Sequence, residues 1–251
     1  MKATGRVVDL NSDLAEGAGT EREIMPFITS ANIACGAHAG DERSMRETVR
    51  LAIASHVAAG AHPGYRDRAN FGRKALEIPA PELTADLVLQ IDTLRAVARS
   101  LGTDLTHVKA HGALYNTAQH DEGVAGAIVD AVRRTASDLL LFVFPGSAVE
   151  RQARAAGLRV AREGFIDRAY EPDGSLRSRT HADAVITDPE RAAAQAVSFM
   201  REGGVRASDG TFLELAVDTL CVHGDTLGAP AILRAARAAL VAAGIGVHRA
   251  G

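Results

Sequence analysis

One α/β domain with a barrel-like parallel sheet, spanning residues 1–251, is the fold this sequence predicts, and three observations predict it. Short β-type runs alternate with longer segments whose apolar residues recur at helical spacing, which is the pattern of parallel strands joined by crossover helices. No Ser/Gly/Pro linker, composition break or internal repeat divides the 251 residues, a length that one core can serve. Apolar runs are also followed by compact polar clusters, as expected where βα loops gather at the carboxyl ends of barrel strands. An open doubly wound sheet is the alternative that the same alternation allows.

Taken in order, the β-type runs are RVVDLN (6–11), SANIACG (30–36), HVAAGAH (56–62), THVKAH (106–111), LLLFVF (139–144), LRVAREG (158–164) and LAVDTLCVH (215–223). About seven strands are therefore expected. Between the second and third, Asp41 can cap a helix whose Met45, Val49 and Ile53 share one face. Pro81 to Leu101 and Asp188 to Gly203 read as further helices. The Ala-rich APAILRAARAALVAAG closes the chain, with Gly244 as its stop. Two connections exceed a minimal βα unit, Tyr65 to Ala80 and Tyr170 to Asp183, and long loops in compact α/β domains often cover substrate.

Composition narrows the function. A formal net charge of -3 with mixed signs offers no polybasic surface for nucleic acid or an anionic membrane, so a small-molecule partner is expected. The longest apolar run, Leu139 to Phe144, is far too short to span a bilayer, and acidic residues interrupt any signal-like stretch near the N-terminus. Cys35 and Cys221, each inside an apolar segment, read as reduced buried thiols. A cytoplasmic location follows, and a homo-oligomer stays open. No GxxxxGK[ST], GxGxxG or GxSxG motif occurs, which disfavours a P-loop nucleotidase, a Rossmann dehydrogenase or an α/β-hydrolase.

Strand periodicity places the polar residues. Positions i and i+2 face one side, so Asp9, Asn11 and Asp13 are grouped, as are Lys109 and His111; Cys221, His223 and Asp225 join them if the last strand continues. A lone strand-end histidine is usually a hydrogen-bonded structural residue. Four of them, His38, His62, His111 and His223, accompanied by Asp13, Glu16, Lys109 and Asp225, point instead to a shared site. Lys109 inside a barrel must pair with a carboxylate or a substrate anion, a purely structural ion pair being the plain alternative. Asp13, His38 and His62 form an oxygen/nitrogen set that suits a divalent metal, with a metal-free hydrogen-bonded cluster left open. EGFIDRAY contributes Asp167 and Arg168 at the end of the sixth strand, and FGRK contributes Arg73; with Asn11 these are candidates to bind substrate or phosphate.

Six ordered motifs, DLNSDLAEG, ANIACGAHAGD, GAHPGYRDRANFGRK, VKAHGALYN, EGFIDRAYEPDGSLRSR and DTLCVHGDT, span Val8 to about Ala236 and resemble the LamB/YcsF family of 5-oxoprolinase A subunits. The resemblance implies a seven-stranded, TIM-like variant of the β/α barrel of the glycoside hydrolase/deacetylase type. It also implies cleavage of 5-oxoproline to L-glutamate, ATP with Mg2+ as co-substrate, and partner subunits B and C. Departures are modest: Ser12 stands where members often carry cysteine, Ala15 where glycine is usual, Ala37 for a bulkier aromatic and Ala110 where proline is common. On residues and resemblance together, Lys109, with Arg168 or Arg73, is assigned to phosphoryl or oxyanion charge, and Asp13 and Glu16 to water activation or metal. His111 and His223 are assigned to proton transfer, with Asp225 orienting one of them. Two rivals share the motifs: a stand-alone metal-dependent amidase or deacetylase, and a non-catalytic lactam-binding subunit.

Overall fold

The computed structural model describes residues 6–135 and 137–251. The strands are β1 (Val7–Leu14), β2 (Ser30–Ala34), β3 (Ala58–His62), β4 (His107–Lys109), β5 (Leu140–Val143), β6 (Arg159–Phe165), β7 (Gly204–Arg206), β8 (Phe212–Glu214), β9 (Thr219–His223) and β10 (Gly246–Val247). β1 to β6 pair in sequence order, β6 pairs with β9, and β9 pairs back onto β1, all in parallel. The sheet is therefore a closed seven-stranded β/α barrel, and the open doubly wound alternative is excluded. β10 extends β1 at its amino end, while β7 and β8 form a separate antiparallel pair.

The helices are α1 (Glu21–Ile24), α2 (Glu42–Ala54), α3 (Ala80–Ser100), α4 (Gly112–Thr117), α5 (Glu122–Thr135), α6 (Ala148–Ala155), α7 (Pro189–Arg201) and α8 (Ala229–Ala242). Asp41 caps α2 as expected, its carboxylate accepting from the Ser44 amide at 2.8 Å while the Ser44 hydroxyl accepts from the Asp41 amide at 2.8 Å. Ile53 does not share the buried face: it is 42% exposed, whereas Met45, Thr48, Val49 and Ala52 are buried. At about 100° per residue, Ile53 lies roughly 80° around the axis from Met45. No helix among the described residues is long and apolar enough to cross a membrane.

Strand limits differ from the sequence reading where chemistry and turns intervene. β1 runs on to Leu14, which brings Asp13 inside the sheet opposite Asn32 and His223. β4 stops at Lys109, and His111 becomes the extended N-cap residue of α4. The last barrel strand ends at His223, so strand alternation does not carry Asp225 to the side of Cys221 and His223. α4, α5, α6 and the β7–β8 hairpin were not anticipated; glycines at 123 and 126 weaken the helical signal of α5.

The barrel interior is polar. Asp9, Asn11, Asp13, Asn32, His107 and Lys109 point inward, and alternating Leu10, Leu14, Ile33 and Val108 belong to the apolar core on the other face. The resulting alternation is unusual for a parallel sheet, whose strands tend to be apolar on both faces. It requires Gly60 on β3, because a Cβ there would lie 2.1 Å from His107 Nε2.

Candidate active site

Deep in the barrel, hydrogen bonds tie the inward groups to one another, although the buried Glu163 Oε2 has no partner among the described residues. Asp9 Oδ1 accepts from Thr29 at 2.6 Å and Ser30 at 2.7 Å, and burial pushes its carboxyl above the usual range. Asn11 Nδ2 donates to Thr219 at 2.7 Å and to Glu163 Oε1 at 3.0 Å. Asn32 Nδ2 reaches Asn11 Oδ1 at 2.7 Å and Asp13 Oδ1 at 2.8 Å, while its Oδ1 accepts from His107 Nε2 at 2.8 Å. Burial, and then the charge of Lys109, lower the His107 pKa to about 3, so this imidazole is a neutral strut.

Lys109 stands above this layer. Its Nζ meets Asp13 Oδ1 at 2.8 Å, Glu163 Oε1 at 2.9 Å and Cys221 Sγ at 3.1 Å. Burial opposes the ammonium, but Asp13, Cys221 and Glu163 outweigh it and hold the pKa well above the lysine range. Burial likewise opposes the Asp13 carboxylate, which His62 and then Lys109 keep well below its ordinary value. A fixed Lys109–Asp13 ion pair, with Glu163 beside it, is thus built into the floor of the cavity.

Three imidazoles and a carboxylate gather beside it. Glu16 Oε1 lies 2.9 Å from His38 Nε2 and 3.1 Å from His111 Nδ1; His62 Nε2 lies 3.1 Å from His111 Nδ1 and 3.6 Å from Glu16. The outer ring nitrogens have fixed partners: His62 Nδ1 donates to the Lys109 carbonyl at 2.8 Å, and His111 Nε2 donates to the Phe71 carbonyl at 2.9 Å. Those carbonyls select the tautomers that aim His62 Nε2 and His111 Nδ1 inward, the same support given to metal-binding imidazoles. The His38 ring stacks on His111 at 3.7 Å, and burial lowers its pKa to about 4. Gly72, at φ +63, allows this packing, since a Cβ there would lie 2.8 Å from His38 Cβ and 2.9 Å from His111 Cδ2.

One donor atom from each of Glu16, His38, His62 and His111 falls within 4.8 Å of the others. This nitrogen/oxygen set fits a divalent transition metal. Glu16, which the sequence assigns with Asp13 to water activation or metal, supplies the oxygen nearest His38, while Asp13 approaches the cluster through His62. Asp13 Oδ1 is taken by Lys109 and Asn32, and its Oδ2 stays 3.5 Å from His62 Nε2. Asp13 groups instead with Cys221 and His223.

Across the cavity, His223 Nδ1 donates to Asp167 Oδ2 at 2.9 Å. The same oxygen accepts from the His223 amide at 3.0 Å and from Thr226 at 2.6 Å. Burial opposes the Asp167 carboxylate, but His223 and Thr226 hold its pKa below the usual range. His223 Nε2, left free of Asp167, lies 4.0 Å from Asp13 Oδ2. The orienting carboxylate is therefore Asp167, while Asp225 forms an ion pair with Arg73 at the rim. A cavity of about 500 Å³ joins these groups, lined among others by Asp13, Lys109, His111, Arg168 and His223. Both long loops contribute to its wall, through Arg73 on one side and Ser175, Ser178 and Arg179 on the other.

Several participants escaped the sequence reading. Glu163, fully buried against Lys109, lay inside the quoted EGFIDRAY motif and two residues from the end of its strand. Asn32 and His107 were visible only as polar breaks in apolar runs, a signal that strand alternation converts into inward positions.

Fold and rim together define a β/α-barrel protein with a carboxylate–imidazole–lysine centre suited to hydrolysis. The chain belongs to the LamB/YcsF family, whose sequence profile matches residues 8–251. It is 50% identical to the 5-oxoprolinase A subunit of Symbiobacterium thermophilum, over 98% of this chain and 96% of that protein. To the corresponding 5-oxoprolinase A subunit of Bordetella pertussis it is 48% identical, over 97% of this chain and 98% of the other. The crystal structure of the lactam utilization protein from Thermus thermophilus superposes with a TM-score of 0.89 at 45% identity, covering 96% of this chain and 99% of that one.

Proposed function

We propose that this chain is the A subunit of a 5-oxoprolinase that opens the lactam of 5-oxoproline to L-glutamate, coupled to ATP hydrolysis with Mg2+ and together with subunits B and C. The observation that carries the reading is the convergence of an Asp167-held His223, the Asp13–Lys109 pair and the Glu16 imidazole cluster on one cavity. Near-half identity to proteins named as 5-oxoprolinase A subunits supports the substrate. Two buried, unbridged thiols fit the reducing cytoplasm.

The chemistry demands what the cavity supplies. A five-membered lactam retains amide resonance, its amine is a poor leaving group, and recyclisation competes with hydrolysis. Phosphorylating the amide oxygen removes the resonance and makes the overall reaction irreversible. No P-loop occurs in this chain, so ATP needs another kind of site, on this subunit or on a partner. Lys109, fixed and charged, balances the phosphoryl charge while water adds to the ring carbon and the C=N pair moves to the ring nitrogen; the C–N bond then breaks, and the acyl phosphate left behind is hydrolysed to glutamate and phosphate. His223, free at Nε2, moves protons between the attacking water and the departing ring nitrogen, and Asp167 holds it in that tautomer. A divalent metal held by Glu16, His38, His62 and His111 would supply Lewis-acid polarisation there. That cluster also favours a second reading, direct metal-assisted lactam hydrolysis without ATP.

One experiment separates the two. The purified chain, subunits B and C, 5-oxoproline and ATP are combined, glutamate is measured with each component omitted in turn, and bound metal is determined by elemental analysis. Glutamate only in the complete mixture supports the ATP-coupled reading. Glutamate from the chain alone, abolished by a chelator, replaces it with the second.

A further inference from the structure

The cavity wall holds a cation that the sequence marks as a candidate for substrate or phosphate charge and that the mechanism above leaves without a defined ligand. Arg168, just beyond β6, is only 6% exposed. Its Nη2 donates to the Arg177 carbonyl at 2.6 Å and its Nε to the Ala184 carbonyl at 3.3 Å. Among the described residues no carboxylate pairs with it and Nη1 has no acceptor. Its neighbour Asp167 is committed to His223 and Thr226. Burial, followed by the charge of Arg179, lowers its pKa to about 10, which leaves the guanidinium charged at neutral pH. A buried cation whose hydrogen bonds go only to neutral carbonyls, with Asp167 nearby but bonded elsewhere, carries a desolvation cost that an arriving anion relieves.

The long loop between Tyr170 and Asp183 fixes this group, since it supplies the Arg177 carbonyl while Ala184, just beyond it, supplies the other. Ser178 and the exposed Arg179 of the same loop line the cavity alongside it. We propose that Arg168, assisted by Arg179, is an oxyanion anchor that makes this site select an anionic substrate over a neutral one of the same shape. If the lactam reading above is correct, on which this naming of the ligand rests, the anion is the ring carboxylate of 5-oxoproline or a phosphoryl group carried by the lactam. A carboxylate or phosphoryl oxygen pair matches the planar donor edge of a guanidinium, whereas a neutral lactam leaves that edge unpaired.

The test is isothermal titration calorimetry on the purified chain with 5-oxoproline, 2-pyrrolidinone, which lacks the carboxylate, and inorganic phosphate. 5-Oxoproline is expected to bind about 10- to 100-fold more tightly than 2-pyrrolidinone, and Arg168→Met to erase that difference while Arg168→Lys keeps part of it. Loss of phosphate binding in Arg168→Met, with the preference between lactams intact, identifies the anion as phosphoryl. Equal binding of the two lactams, together with phosphate binding indifferent to Arg168→Met, overturns the anchor, as does failure of all three probes to bind. Circular dichroism checks the fold; should Arg168→Met unfold, Arg179→Met and the wild-type comparison of lactams decide. Arg168-dependent phosphate binding by a chain that supports no lactam hydrolysis would keep the anchor and sink the function proposed above.

Discussion

His223 and Asp167 show how one hydrogen bond sets a residue's chemistry. Because Nδ1 donates to Asp167 at 2.9 Å, the lone pair is confined to Nε2, which is the atom that faces the cavity. Asp167→Asn can present its amide to Nδ1 and reverse the tautomer, so kcat is expected to fall about 10²- to 10⁴-fold with the fold unchanged. Steady-state kinetics of the complete enzyme measure this. Asp225→Asn, which touches Arg73 rather than an imidazole, is expected to change KM more than kcat; the reverse ranking would return Asp225 to the orienting role. Sequence favoured Asp225 because it follows His223 at a spacing of two, but the strand ends at His223 and the spacing loses its meaning there.

Strand alternation is the element-scale rule that made most of the site legible. Asp9, Asn11 and Asp13 all face the interior because β1 keeps its period through Leu14. The same rule explains Gly60, whose missing Cβ leaves space for His107 across the β3–β4 pairing. Gly60→Ala is expected to displace that imidazole and destabilise the protein by about 1–3 kcal/mol, read from urea denaturation. An unchanged midpoint would show that the strand moves aside and that His107 is no strut. Loops obey no such period, and Glu16, carried beyond the end of β1, therefore came to His38 without any sequence signal for the pairing.

At the scale of the whole molecule, a polar barrel interior ties stability to pH. Burial lowers the pKa of His38 to about 4 and of His107 to about 3, against about 6.5 for an unfolded histidine. Below pH 6.5 the unfolded chain binds protons that the native state refuses. Stability is therefore full above pH 6.5 and falls toward pH 4, by up to about 1.4 kcal/mol per pH unit for each histidine. His62 has the opposite sign: Asp13 overcomes its burial and raises its pKa, so its contribution is lost as pH rises through the folded value. Asp9, raised by burial, also works against the acid loss. Urea midpoints from pH 7 to pH 4 should decline, and His107→Gln should flatten the decline; a profile unaffected by that change would mean His107 is charged in the native protein.

From the order of residues alone came the alternation of strands and helices, the inward row of Asp9, Asn11 and Asp13, the Lys109 charge in need of a carboxylate, and the family. The first three follow from periodicity and from the cost of burying a charge, both local properties of a chain, and the family from the resemblance of six ordered motifs. Folding alone decided that the sheet closes through β9 onto β1, that Glu163 joins Asp13 in pairing Lys109, and that Asp167 rather than Asp225 holds His223. Partner choice among groups far apart in sequence depends on strand register and loop path, and an ångström-scale distance between two side chains is a property of the assembled barrel.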